Sequence, residues 1–78
     1  MNVLIVDDEP PARDRLRELL NRLSDYEACG EAGNGMEALR LAARVQPDIV
    51  LLDIQMPGLN GLETARRLAE LAQPPAII

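Results

Sequence analysis

Two short apolar runs, Val3-Leu4-Ile5-Val6 and Ile49-Val50-Leu51-Leu52, both stop on carboxylates: the first on Asp7 and Asp8, the second on Asp53. Uninterrupted β-branched and leucine runs suit strands covered on both faces, the situation of a parallel sheet flanked by helices. Neighbouring parallel strands end on the same side, about 4.8 Å apart, so acids that close two of them can meet at the carboxyl edge, where open α/β sheets bind ligands. Residues 7 and 8 of a regular strand would point to opposite faces. Both reach one site only if the chain turns out of the sheet there, an exit that Pro10 helps to enforce. Two charges about 4 Å apart at an effective dielectric of about 20 cost about 4 kcal/mol, so such a cluster needs either raised pKa values or a cation. Mg²⁺ fits, because it takes hard oxygen ligands and uses one or two carboxylates together with phosphate oxygens and water.

The rest of the chain alternates strand and helix, the pattern of βα units around a parallel sheet. A first strand is expected at about Asn2 to Val6. Pro10 and Pro11 suit the first turn of a helix, where an absent N–H costs nothing, and Ala12, Leu16, Leu19, Leu20 and Leu23 mark its apolar face. Tyr26 to Ala32, broken by Gly30 and carrying Glu27 and Glu31, reads as an edge strand. Asn34 with Glu37, and Asn60 with Glu63, have the spacing of helix N-caps. They open helices whose buried stripes are expected at Ala38, Leu39, Ala42 and Val45, and at Leu62, Ala65, Leu68, Ala69 and Ala72. Pro47 leads into the strongest strand, Asp48 to Leu52, and Ala76-Ile77-Ile78 begins a fourth.

Composition excludes several classes of function. The chain of 78 residues carries a net charge of −5 and no lysine, the opposite of a nucleic-acid footprint. Arg13, Arg15, Arg17 and Arg22 interleave with Asp14 and Glu18 and read as a solvated, salt-bridged helix face. Cys29 is alone and histidine is absent, which removes internal disulfides and the common transition-metal sites; the thiol reads as an inert, buried strand residue. The N-terminus has no basic segment and no long apolar stretch, so neither signal peptide nor membrane span is expected, and the location is expected to be cytoplasmic.

Acids at two strand ends suit chemistry at phosphorus. A carboxylate that attacks a phosphoryl group needs both negative charges screened together, and a metal held by neighbouring acids does that. The segments Leu4-Ile5-Val6-Asp7-Asp8-Glu9, Pro47-Asp48-Ile49-Val50-Leu51-Leu52-Asp53 and Met56-Pro57-Gly58-Leu59-Asn60-Gly61 together resemble the receiver (CheY-like) domain of two-component response regulators, over essentially all 78 residues. Asp7-Asp8-Glu9-Pro10-Pro11-Ala12-Arg13 with Leu16 further resembles the LytR/AlgR type, whose receivers precede a LytTR-type DNA-binding domain. The resemblance implies an α/β, flavodoxin-like parallel sheet with helices on both faces and strand order 2-1-3-4-5. It makes Asp53 the phosphoacceptor, and makes Asp8, Asp53 and the backbone carbonyl of Gln55 ligands of Mg²⁺, with Asp7 joining directly or through water. It implies a sensor histidine kinase as phosphodonor and DNA contact only through an output domain outside these residues. Such a domain is no enzyme beyond taking part in its own phosphotransfer and dephosphorylation.

Residues 1–78 are thus expected to be the N-terminal portion of a receiver, cut within strand 4. The family's hydroxyl residue after strand 4 and its lysine after strand 5 have no counterpart here, and Ser24 and Thr64 do not take those roles. The exposed fourth strand suggests self-association or exchange of elements between chains. Two other readings remain beside the phosphoacceptor. An aspartyl-phosphate hydrolase of the haloacid dehalogenase type needs a second Asp two positions after its nucleophile, where Gln55 stands. The other is a receiver-like binding module that works without phosphorylation, or an inactive fragment; an inert fragment would not respond to millimolar Mg²⁺.

Overall fold

The computed structural model describes residues 1–54, 56 and 60–78. Four parallel strands, β1 (Asn2–Val6), β2 (Glu27–Ala32), β3 (Ile49–Leu52) and β4 (Ala76–Ile77), form one sheet in the order β2-β1-β3-β4. Helices α1 (Pro10–Asn21), α2 (Gly35–Val45) and α3 (Gly61–Ala69) connect them. This is the expected α/β, flavodoxin-like order, with β1 and β3 side by side and β2 at an edge.

Alternation along β1 builds two cores. Leu4 and Val6 face one side and pack with Ala32, Val50, Ala38 and Ala42 of α2, and Leu68 of α3. Val3 and Ile5 face the other side and pack with Leu16 and Leu20 of α1, Tyr26, Ala28, Ile49 and Leu51. Helices therefore cover both faces, and a strand buried on both sides has to be apolar throughout, which is why β1 reads as an unbroken run. Burying each such side chain contributes about 1.5–3 kcal/mol.

Capping follows the sequence. Asn34 Oδ1 accepts the Glu37 N–H at 2.9 Å, and Asn60 Oδ1 accepts the Glu63 N–H at 2.8 Å. α1 has no side-chain cap; Pro10 and Pro11 occupy its first turn, and the Glu9 carbonyl accepts from the N–H groups of Ala12 and Arg13. α2 ends at Gln46, which adopts the left-handed conformation (φ 49°) and donates its N–H to the Ala42 carbonyl.

The structure corrects three details of the apolar pattern. In α1, Leu16 and Leu20 form the contact, while Leu19 lies on the flank of the stripe and Leu23 beyond the last turn, and both are exposed. In α3 the buried stripe is Gly61, Thr64 and Leu68, with Leu62 exposed, a rotation of nearly one residue from the expected face. The helix also ends at Ala69, ahead of Ala72. β4 is only partly covered, with Ile77 half-buried and Ile78 exposed.

One irregularity has structural weight. In the pairing of β1 with β2, Val3 lies opposite Ala28 but Leu4 lies opposite Gly30, so Cys29 is an extra residue in the edge strand. Ala28 packs on the α1 side. Regular alternation would then turn Glu31 toward α2 and Ala32 toward α1. The extra residue reverses this: Ala32 enters the α2 core and Glu31 is presented to α1. Cys29 is half-buried, and burial pushes its thiol above the ordinary cysteine value.

Candidate functional site

The β1–β3 register places the acids. Val6 lies opposite Leu52, and the ladder runs one step further, with Asp53 N–H donating to the Val6 carbonyl at 2.9 Å. Asp7 and Asp53 are consequently neighbours at the carboxyl edge of adjacent strands. On the other flank, Asp7 N–H donates to the Ala32 carbonyl at 3.1 Å, so three strands converge on this level.

Beyond Asp7 the chain bends out of the sheet. Asp7 Oδ1 accepts the Glu9 N–H at 2.9 Å, closing a local bend at Asp8 that lets its side chain join the same cluster. Carboxylate oxygens of Asp7, Asp8 and Asp53 lie within 4.8 Å of one another, with Asp7 and Asp53 half-buried and Asp8 exposed. All three expected acids are thus brought together. Gln55, whose carbonyl the sequence offered as a further ligand, lies outside the described residues, as do Pro57 and Gly58. Ser24 and Thr64 take no part in the cluster: Thr64 is fully buried and donates its hydroxyl to the Asn60 carbonyl at 2.9 Å.

The donor set suits Mg²⁺. Its octahedral shell, with bonds of about 2.0–2.1 Å, separates ligand oxygens by about 3–4 Å, so oxygens within 4.8 Å converge on one ion with small side-chain rotations or one intervening water. Three hard oxygens with neither imidazole nor thiolate point to Mg²⁺, Ca²⁺ or Mn²⁺ rather than zinc or copper. Beside the acids opens a groove of about 330 Å³, bordered by Val6, Asp7, Glu9, Leu52 and Asp53 and running toward Ile78.

One participant was not apparent in the sequence. Arg13, read there as part of a solvated face, donates from Nη1 to the Asp7 carbonyl at 2.7 Å and from Nε to Glu31 Oε1 at 3.1 Å. Arg17 Nε donates to the second Glu31 oxygen at 2.6 Å. The Arg17 and Arg13 guanidiniums hold the Glu31 carboxyl below its ordinary value. Of the four arginines in that segment, Arg22 makes the expected pair along the helix, with Glu18.

Residues 3–78 match the response regulator receiver domain family, and the chain belongs to that family. It is 58% identical, over its whole length, to the positive alginate biosynthesis regulatory protein of Pseudomonas aeruginosa, of which it covers 32%. It is 51% identical over 63 residues to the transcriptional regulatory protein BtsR of Salmonella typhi, with 81% of this chain and 26% of that protein aligned. The response regulator domain of Thermotoga maritima CheB superposes with a TM-score of 0.93 at 34% identity, covering 99% of this chain and 57% of that one. The receiver expected from the sequence, of the LytR/AlgR type, is borne out. The chain spans between about a fifth and a third of the length of the curated relatives it matches. Among the described residues no helix is long and apolar enough to cross a membrane.

Proposed function

We propose that this chain is the N-terminal portion of a receiver that accepts a phosphoryl group on Asp53 from a sensor histidine kinase. The observation that carries this reading is the convergence of Asp7, Asp8 and Asp53 within 4.8 Å at the carboxyl edge of two adjacent strands. In the transfer, a carboxylate oxygen of Asp53 forms a bond to phosphorus as the N–P bond of phosphohistidine breaks and the imidazole leaves. Asp8 and Asp53, with the Gln55 carbonyl and Asp7 directly or through water, would hold Mg²⁺. When bound, the ion supplies charge screening between the carboxylate and the incoming phosphoryl oxygens. Asp53 is held in place for attack because its own N–H is tied to β1.

The phosphorylated state would act on an output domain elsewhere in a longer cytoplasmic protein. The regulatory names of the relatives, and their length, favour a DNA-binding output that controls transcription. DNA contact by these 78 residues themselves is disfavoured by the net charge of −5.

The test is phosphorylation of the full-length protein by a small acyl phosphate with Mg²⁺. Acid-labile phosphate should appear on the wild type and be absent from Asp53→Asn. Equal incorporation in the variant would refute the assignment.

A further inference from the structure

Arg13 makes contacts that neither the charge pattern nor the proposed phosphoryl transfer accounts for. It is four-fifths buried, unusual for a helix-surface arginine, and its guanidinium spans three pieces of structure. Nη1 donates to the Asp7 carbonyl at 2.7 Å, Nε donates to Glu31 on β2 at 3.1 Å, and a side chain on Gly33 would meet Nη1 at 3.5 Å. The Asp7 carbonyl belongs to the peptide that joins the two acids. Its orientation decides where Asp8 leaves the backbone, and Asp7 lies past the end of the strand, so among the described residues no ladder bond holds that oxygen.

We propose that Arg13 is a positioning residue for the metal site: it locks the Asp7–Asp8 peptide so that both carboxylates remain aimed at Asp53. This inference rests on the Mg²⁺ reading above and deepens it. The repulsion within the acid cluster pushes Asp8, the exposed member, outward into solvent. Asp7 is held on both sides, its N–H by the Ala32 carbonyl and its own carbonyl, in the peptide leading to Asp8, by Arg13, and this resists that rotation. Glu31 makes the arrangement workable. It anchors the guanidinium and, shared with Arg17, offsets part of its charge, so that Arg13 acts on the acid loop mainly as a hydrogen-bond donor. The bulge at Cys29 is what turns Glu31 toward α1, so an irregularity of the edge strand serves the acid loop at the end of the neighbouring strand. Groups that orient metal ligands typically change affinity by 10–100-fold.

Charge and positioning predict opposite signs, which makes the idea testable. Removing a cation near the site should tighten Mg²⁺ binding if charge dominates. If positioning dominates, binding should weaken. Mg²⁺ affinity is measured by calorimetry on the full-length protein, alongside denaturant unfolding, for the wild type, Arg13→Met, Arg13→Lys and Arg17→Met. Arg17→Met removes the same charge and the other Glu31 ion pair but leaves the Asp7 carbonyl contact intact. The expected result is about tenfold weaker binding in Arg13→Met. Arg17→Met should remain within about twofold of the wild type despite losing stability. Arg13→Lys keeps a cation for Glu31, which protects folding, but a single ammonium does not reproduce the fork between Nε and Nη1, and it should also bind weakly. Unchanged or tighter binding in both Arg13 variants, or equal weakening in Arg17→Met, would overturn the proposal. A wild type that binds no Mg²⁺ would sink the metal reading itself and this inference with it, whereas a binding wild type with unaffected Arg13 variants sinks only the inference.

Discussion

Gly61 and Ile54 are in backbone contact: the Gly61 N–H donates to the Ile54 carbonyl at 3.0 Å, and a Cβ at position 61 would collide with the Ile54 Cα and come within 2.7 Å of the Asp53 and Ile54 carbonyl oxygens. The first turn of α3 thus rests directly on the segment that carries Asp53, the proposed phosphoacceptor. Only a residue without a side chain permits that approach.

Gly61→Ala should therefore do two things together. Overpacking against backbone, which has no rotamer to escape into, should destabilise the fold by about 1–3 kcal/mol. It should also displace Asp53, so phosphate incorporation should fall with stability. Urea unfolding and phosphorylation by an acyl phosphate would check both; a variant as stable and as reactive as wild type contradicts the contact.

Glu31 should give stability a dependence on acid pH. Its carboxyl is held below the ordinary glutamate value of 4.5 by Arg17 and Arg13, so the folded state binds this proton less readily than the unfolded chain. The contribution is then complete above the unfolded value and lost as pH falls through the lower, folded one. Denaturant midpoints across pH 3–7 should show wild type and Glu31→Gln converging toward the acid end. A gap that stays constant with pH would contradict this.

Asn60 Oδ1 accepts the Glu63 N–H at 2.8 Å at the N-terminus of α3. Asn60→Ala should cost about 1 kcal/mol, whereas Asn60→Asp keeps the acceptor and adds a charge favoured by the helix dipole, so it should be neutral or mildly stabilising. Thermal melts of the two variants decide the matter, and equal losses would remove the capping role.

Thr64 is fully buried, and its hydroxyl donates to the Asn60 carbonyl, which also accepts the Thr64 N–H at 2.9 Å. Because that carbonyl keeps its backbone partner, Thr64→Val should change stability by no more than about 1 kcal/mol, while Thr64→Ala, which leaves a void, should cost more. Chemical denaturation that finds equal losses in the two variants, both of which lack the hydroxyl, would show the hydroxyl outweighing the packing.

A polypeptide limited to residues 1–78 is expected to associate through β4, the edge strand, beside which Ile78 is 73% exposed. Size-exclusion chromatography at rising concentration should show dimers or larger species, reduced by Ile78→Lys; a compact monomer throughout would count against the edge as a contact.

Much of this protein is legible one residue at a time. The runs ending at Asp7 and Asp53, the prolines of α1 and the asparagine caps state their roles through local chemistry, because strand burial, helix starts and turns depend on near neighbours in the chain. The acid cluster follows from the same signals once the two strands are taken as adjacent and parallel. Tertiary structure alone decided the rest. Leu62 and Thr64 exchange roles because Gly61 lets α3 roll onto Ile54, and periodicity does not report a helix's rotation about its own axis. Arg13 and Glu31 are 18 positions apart and meet only because an extra residue at Cys29 reverses the faces of an edge strand. Local propensity sets which elements form, but a contact between elements depends on register and orientation, which become defined only when the sheet and its helices pack together.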